Sequence, residues 1–116
     1  MKRSEVLKGS FETAVLALLS RQDLHGYDIM KNLREHAGGG ILAVKEGTLY
    51  PLLHRLETSG FIRGRWEKGS GMRRVRMYTI TPAGRRELGE RSSLLQAMTT
   101  AIAGLLGSKK LGKERG

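Results

Sequence analysis

The sequence predicts a mainly α (α+β) fold in which three helices precede a β-hairpin and a long C-terminal helix. Apolar residues recur at helical spacing in four separate stretches of the 116-residue chain. Between the last two of these stretches, two strand-like runs flank the flexible link KGSGM. The length suits one small domain with an extra element, and a chain of this size often gains burial by pairing with a second copy.

The first helix is predicted to begin at Ser10, its N-cap, and to continue to about residue 19. Its apolar residues cover almost the whole circumference of the helix: Phe11, Ala14, Val15, Leu16, Ala17, Leu18 and Leu19. A helix that is apolar on so many sides is buried on several of them. We therefore expect a second subunit to cover part of this helix.

The second helix is predicted to run from about Gly26 to His36, where the glycines at 38–40 end it. The residues predicted for its core face are Ile29, Met30, Leu33 and Ala37. The residues predicted for the opposite face are Tyr27, Lys31 and Arg34. Residues 41–45 are predicted to form a short extended piece before the next helix.

The third helix lies in the stretch EGTLYPLLHRLETSGFI and is predicted to begin near Gly47 or Thr48 and to end at Ser59 and Gly60. Its core face consists of Leu49, Leu52, Leu53 and Leu56. The opposite side carries Gly47, Pro51, His54 and Thr58, with Tyr50 and Arg55 at the flanks. Pro51 lacks an N–H group, and we expect the helix to tolerate it because donors in the first turn are unpaired.

The hairpin is predicted to consist of strands 61–68 and 74–80, joined by the Gly/Ser link. From Arg63 to Arg76 the chain has six basic residues and one acid, so that half of its net charge of +10 lies in this stretch. Charge that is this concentrated argues against a general role in solubility. It indicates an anionic partner, with nucleic acid favoured over an anionic membrane.

The C-terminal helix is predicted to begin at Pro82, with Thr81 as its cap, and to end at about Leu106. Its apolar residues repeat at intervals of seven in two series, Leu88, Leu95 and Ile102, and Met98 and Leu105. Arg91 interrupts this stripe. An amphipathic helix at the end of a small chain is suited to pairing with a second copy.

This order of elements is that of a winged helix-turn-helix, which predicts double-stranded DNA as the partner. The third helix would enter the major groove, where its N-terminal residues reach base edges. The second helix would cross the DNA backbone, and the basic hairpin would lie along the neighbouring groove. Residues 1–80 are therefore predicted to form a DNA-binding domain, residues 81–107 a dimerisation helix, and residues 108–116 a flexible basic tail.

Enzymatic and metal-binding functions are not expected from this sequence. The chain has no Cys, which excludes disulfides and thiolate metal sites, and its three histidines lack metal-ligand spacing. The stretch GGGILAVKEGT lacks the Gly-Lys-Ser/Thr ending of a phosphate-binding loop. Because no apolar stretch reaches membrane-spanning length, we expect a cytoplasmic protein without cofactors and without membrane contact.

Three stretches resemble PadR-type bacterial transcriptional regulators: LHGYDIMKNLRE, EGTLYPLLHRLETSGFI and MYTITPAGRREL. The similarity runs from about Val15 to Leu88, and the motifs are specific in combination. The resemblance implies a homodimeric repressor with a winged-helix DNA-binding domain, and we expect this repressor to be nucleoid-associated and to bind an inverted-repeat operator. It also implies that the C-terminal helix packs against the first helix of the partner. The single C-terminal helix is similar to that of the shorter branch of the family.

The residues and the resemblance together assign two surfaces. The predicted DNA-binding residues are Tyr27, Lys31, Lys45, Thr48, Tyr50, Pro51, His54, Arg55, Arg73, Arg74 and Arg76. The predicted dimer-interface residues are Phe11, Leu18, Leu88, Leu95, Met98, Ile102 and Leu105.

A small hydrophobic effector at the dimer interface is a further hypothesis from the resemblance. Some short members of the family bind flat hydrophobic drugs between the two C-terminal helices and use a Trp there. This sequence departs from that pattern, because it has no Trp after Pro82. Its single Trp, Trp66, lies in the first strand of the hairpin, which is the wing of the winged helix-turn-helix, and a structural role is predicted for it there.

Two other functions are compatible with the composition. A non-specific architectural nucleic-acid-binding protein would account for the basic charge, but it would not need an ordered winged helix-turn-helix. A protein-interaction module would use the C-terminal helix to recruit a different partner, and it would be monomeric in solution.

Overall fold

The computed structural model describes residues 3–36 and 40–107, with side chains from residue 9 onwards. In chain order the elements are α1 (Arg3–Leu19), β1 (Leu24–His25), α2 (Gly26–Glu35), α3 (Glu46–Thr58), β2 (Ile62–Lys68), β3 (Arg74–Ile80) and α4 (Pro82–Leu106). This order confirms the α+β winged helix-turn-helix followed by a long C-terminal helix. The last residues of the chain, predicted to be a flexible basic tail, lie outside the described residues.

The three strands form one antiparallel sheet in the order β1-β3-β2. The register pairs Ile62 with Ile80 and Trp66 with Arg76. Directly paired residues lie on the same side of an antiparallel sheet, so the even-numbered residues of the hairpin share one face. That face is buried at Ile62, Tyr78 and Ile80, and it is therefore the core face. Beyond the core it continues towards the hairpin tip through Trp66, Lys68, Arg74 and Arg76.

The hydrophobic core lies between α1, α2, α3 and the inner face of the sheet. It consists of Phe11, Val15, Leu16, Leu19, Leu24, Ile29, Leu33, Leu49, Leu52, Leu53, Leu56, Ile62, Tyr78 and Ile80. The predicted core face of α3 is confirmed, because its four leucines are at most 2% exposed. Burying each of these side chains stabilises the fold by about 1.5–3 kcal/mol. Met30 packs at the edge of the core, and Ala37 lies outside the described residues.

Two predictions of local structure near the N-terminus and before α3 are wrong. Helix α1 begins upstream at Arg3, so Ser10 lies inside the helix and is not its N-cap. Residues 41–45 form a turn followed by irregular backbone, and the additional strand is β1, at Leu24–His25. Two residues are too few to produce a periodic signal, which is why the sequence does not reveal β1.

Pro51 also lies deeper in its helix than expected. Because α3 begins at Glu46, Pro51 is the sixth residue of the helix, beyond the first turn. In a regular helix the amide at this position would donate to the carbonyl of Gly47, and proline has no hydrogen to donate. Both residues are exposed, so water can reach that carbonyl group. The C-terminal end of α3 is as predicted, with Gly60 at a φ of 82° just after it.

The first turn of α4 is held against the segment that follows α3 by hydrogen bonds. The Thr81 hydroxyl accepts a hydrogen bond from the amide of Gly84 at 3.0 Å and donates one to the carbonyl of Gly60 at 2.6 Å. A Cβ atom on Gly84 would overlap with the carbonyl oxygen of Phe61, so only glycine allows this close approach. From Ser92 to Leu106, in contrast, the residues of α4 are exposed.

Candidate nucleic-acid interface

The outer face of α3 is the most regular part of the predicted DNA-binding surface. Thr48, Pro51 and His54 are all exposed, and Pro51 and His54 lie opposite the buried leucines. Lys45 is the N-cap residue, and its side chain makes no capping hydrogen bond. The amides of the first helical turn are therefore not capped by that side chain, and such amides attract phosphate groups.

Tyr50 lies at the flank of this face, where α3 meets the start of α2. A Cβ atom on Gly26 would lie 2.9 Å from the Tyr50 hydroxyl oxygen, so the absence of a side chain at Gly26 makes room for the ring. The neighbouring residues Tyr27 and Lys31 on α2 are exposed, as predicted for residues that could meet the DNA backbone. The structure thus places the start of α2 beside the outer face of α3.

Arg55 is directed differently from the other predicted residues of α3. Its Nε atom lies 3.5 Å from Oε2 of Glu12 on α1, while Oε1 of the same carboxylate accepts a hydrogen bond of 2.9 Å from Arg91 on α4. Glu12 therefore connects three helices and draws the Arg55 guanidinium towards α1. The Arg55 side chain remains 47% exposed, so its role in DNA binding stays a prediction.

Arg91 completes this junction through a second acid, Glu87, whose Oε2 accepts a hydrogen bond of 2.7 Å from the Arg91 Nε atom. Burial by itself would lower the pKa of Arg91, but the hydrogen bonds that its guanidinium donates to Glu87 and Glu12 raise this pKa above its ordinary value. The residue that interrupts the apolar stripe of α4 is thus a charged anchor. The sequence identified the interruption but not its purpose.

The arginines of the hairpin differ in whether an acid neutralises them. Arg76 donates a hydrogen bond of 2.7 Å to Oε2 of Glu57, near the end of α3. Oε2 of Glu57 also accepts a hydrogen bond of 3.2 Å from the amide of Gly64. Within residues 9–36 and 40–107, Arg73 and Arg74 have no acid within ion-pair distance. Arg73 and Arg74 therefore place unneutralised charge near the tip of the hairpin.

The outer face of the hairpin has a different electrostatic character. Arg65 donates hydrogen bonds to Glu67 at 2.8 Å, to Thr79 at 2.7 Å and to Asp23 at 3.2 Å. The hydrogen bonds to the two acids raise the pKa of Arg65 above its ordinary value. Arg65 is therefore held by neighbours in its own chain, which makes it a poor candidate for contact with a partner.

The predicted dimer-interface residues divide into two groups. Phe11 is buried within its own chain, and Leu18 and Leu88 pack partly against the same core. The remaining four are large apolar side chains exposed along α4: Leu95, Met98, Ile102 and Leu105. Among the predicted interface residues, those on the distal part of α4 are therefore the ones left exposed by the described residues.

Two classes of site are absent from the described parts of the chain. Residues 9–36 and 40–107 contain no group of three or more His, Asp or Glu side chains arranged to hold a metal ion. Over the same ranges, no helix combines the length and the hydropathy that crossing a bilayer requires.

The chain is similar to known regulators in sequence and in structure. The model of the PadR-like transcriptional regulator family matches residues 15–90. A transcriptional regulator of Mycobacterium tuberculosis is 31% identical over 100 residues, which cover 86% of this chain and 89% of that protein. The negative transcriptional regulator PadR of Bacillus subtilis is 36% identical over 75 residues, which cover 65% of this chain and 41% of that protein.

The structural comparison agrees with the sequence comparison. The crystal structure of a PadR-like transcriptional regulator from Bacillus cereus has a TM-score of 0.80 and 30% identity to this chain, covering 91% of this chain and 100% of that one. A transcriptional regulator from Clostridium thermocellum has a TM-score of 0.76 and 31% identity, covering 86% of this chain and 93% of that one. The chain therefore belongs to the PadR-like family and is a transcriptional regulator rather than an enzyme.

Proposed function

We propose that this regulator is a homodimeric repressor that acts on the nucleoid in the cytoplasm and binds an inverted-repeat operator. The observation that carries the proposal is the junction of α3 and the hairpin. Glu57 of α3 binds Arg76 of β3, so the exposed face of α3 and the basic face of the hairpin are held beside each other. A helix with an adjoining basic ribbon matches a major groove and its neighbouring groove.

In this proposal, residues 1–80 form the DNA-binding domain and its contacts have separate roles. Thr48, Pro51 and His54 face the major groove, and Lys45 places positive charge at the start of the helix. Tyr27 and Lys31 contact the phosphate backbone beside it, and the wing arginines Arg73 and Arg74 contact the next stretch of backbone. Arg55 and Arg76 contribute mainly by holding the elements together, because each is already paired with an acid.

Dimerisation is assigned to α4, within residues 81–107. Leu95, Met98, Ile102 and Leu105 recur at spacings of three and four residues and are exposed. A stripe of this kind is stable in water when a second helix covers it, and a two-fold pairing of two such helices would do so. The repeat of the operator would then mirror the two-fold axis of the dimer.

The repressor role is supported by the relative from Bacillus subtilis that is named a negative transcriptional regulator. A small hydrophobic effector is also part of the proposal. A groove of about 460 Å³ lies between α1 and α4. Leu94, Leu95 and Met98 form its apolar side, next to the proposed dimer interface. A molecule bound there would contact both subunits and could change the angle between the two winged domains.

The proposal is tested by DNA capture followed by competition. Genome-wide capture of bound fragments should return an inverted repeat with half-sites about one helical turn apart. A captured fragment should then resist displacement by duplex DNA of random sequence. Equal displacement by random DNA would instead indicate a non-specific architectural protein. A monomer in light scattering, combined with no enriched DNA, would indicate a protein-interaction module.

A further inference from the structure

Trp66 occupies an unusual place for the only tryptophan of the chain. It lies on β2 with its side chain 56% exposed, close to the hairpin tip rather than in the core. The Cζ atom of Arg74 lies 5.2 Å from the centroid of its ring, and that of Arg76 lies 5.1 Å from it. Two guanidinium groups therefore stack on one indole, an arrangement stabilised by cation–π attraction.

The two stacked arginines differ in their other contacts. Arg76 is bound to Glu57 of α3 at 2.7 Å. Its side chain also crosses the backbone of Gly64, where a Cβ atom would lie 2.7 Å from the Arg76 Nε atom. Arg76 is thus fixed on three sides. Arg74 has no acid within ion-pair distance in the described ranges, so the indole is the group that restrains its guanidinium.

These contacts form a continuous series from the end of α3 to the hairpin tip: Glu57, Arg76, Trp66 and Arg74. All three hairpin residues lie on the even-numbered face, which is continuous with the face that packs against the core beside α3. The series therefore relates the direction of the Arg74 guanidinium to the position of α3.

We propose that Trp66 is a positioning residue that holds Arg74 in the orientation in which the wing contacts a DNA phosphate. The inference rests on the proposed function, because it requires the hairpin to lie against duplex DNA. An arginine side chain has many rotamers, and ordering it on binding weakens the complex. Stacking on the indole orders the side chain beforehand, so that less freedom is lost when the phosphate is bound.

The test measures binding of the full chain to a short duplex of random sequence at low salt, because a phosphate contact does not depend on sequence. Arg74→Ala should weaken binding about three- to tenfold. Trp66→Leu, which keeps an apolar side chain but removes the ring, should weaken it about two- to fivefold. Trp66→Phe keeps a ring face and should bind within about twofold of the unchanged chain.

The decisive comparison is the double variant. Trp66→Leu should have no further effect when Arg74 is already alanine, because the two residues act through one contact. Arg73→Ala provides the matched control, since Arg73 is a neighbouring exposed arginine without a stacking partner. Trp66→Leu should weaken the Arg73→Ala variant by the same factor as it weakens the unchanged chain.

A second measurement reports the stacking without DNA. Trp66 is the only source of tryptophan fluorescence. Arg74→Ala should make this fluorescence more easily quenched by acrylamide, whereas Arg73→Ala should leave it unchanged. Circular dichroism of each variant checks that the fold is retained. If Trp66→Leu is unfolded, the Trp66→Phe variant still provides a folded protein with an altered ring for the comparison.

The outcomes separate the inference from the proposed function. If Trp66→Leu weakens binding equally with and without Arg74, or if it has no effect while Arg74→Ala does, the positioning role is wrong. If Trp66→Phe binds as poorly as Trp66→Leu, the cation–π explanation is wrong. If the unchanged chain does not bind duplex DNA at all, the proposed function is wrong, and this inference, which depends on it, is wrong as well.

Discussion

Helices α3 and α4 carry apolar stripes at similar helical spacing, but they bury them differently. The four leucines of α3 are at most 2% exposed, whereas Leu95, Met98, Ile102 and Leu105 of α4 are 48, 53, 49 and 64% exposed. Helix α3 is surrounded by α1, α2 and the sheet, while the distal part of α4 extends away from the core. A periodic pattern therefore shows that a helix face is apolar and has to be buried. It does not show whether the same chain or a second chain buries that face.

The largest expected effect comes from removing a leucine of α3. Leu53→Ala should lower the free energy of unfolding by about 2–5 kcal/mol, because the cavity is enclosed by packed neighbours. The matched variant, Leu105→Ala, should change the unfolding free energy of the monomer by less than about 0.5 kcal/mol, because Leu105 is exposed. Urea unfolding, carried out at a protein concentration low enough to favour monomers, measures the unfolding free energy of both variants. Equal losses would contradict the comparison.

The next effect contrasts the anchored start of α4 with its exposed continuation. Gly84→Ala should destabilise the fold by about 1–3 kcal/mol or more, because the new methyl group collides with the Phe61 backbone. Gly89→Ala should stabilise it by up to about 1 kcal/mol, since a Cβ atom there meets nothing within 4 Å and alanine favours helices. Thermal unfolding midpoints that move in the same direction would show that α4 is not anchored at Gly84.

A third variant tests whether a second copy covers the stripe of α4. Ile102→Asp should weaken dimerisation about 100-fold, because a carboxylate would be buried without a partner, on both subunits at once. Thr100→Asp adds the same charge on the opposite side of the helix and should leave the dimer intact. Light scattering should show the mass halved for the first variant only. Halving by both variants would place the interface elsewhere.

The smallest effect concerns Tyr78, where the buried part of the sheet face ends. Burial raises the pKa of its hydroxyl, and the charge of Glu57 raises it further. The unfolded chain therefore loses this proton first, and stability should fall as pH rises above about 10, by at most about 1.4 kcal/mol per pH unit. Tyr78→Phe should remove this part of the alkaline loss, measured by urea unfolding at a series of pH values. An identical alkaline profile for both proteins would mean that Tyr78 is not desolvated.

Much of the fold follows from local sequence. The leucines of α3, the end of that helix at Ser59 and Gly60, and the start of α4 at Thr81 and Pro82 were predicted as the structure has them. Each depends on residues close in the chain, through helical periodicity, capping and the conformational preferences of Gly and Pro. Strand β1 was missed because it exists only through its pairing with β3, which lies far along the chain.

The candidate site was predicted less completely than the fold. The sequence identified a basic hairpin and an exposed face of α3, but it did not reveal which arginines an acid neutralises. Glu57 and Arg76 are 19 positions apart, and Glu12 and Arg91 are 79 apart. No local pattern relates such residues, because only the packing of the elements brings them together.

The sequence by itself determined that four helices and a hairpin form, which faces of the helices are apolar, and that the basic charge collects in the hairpin. These properties depend on neighbours within a few residues along the chain. The tertiary structure alone decided that Arg55 and Arg76 are paired with acids while Arg73 and Arg74 are not, and that α4 leaves its stripe uncovered. Charge pairing and burial depend on distances in space, and those distances exist only after the chain has folded.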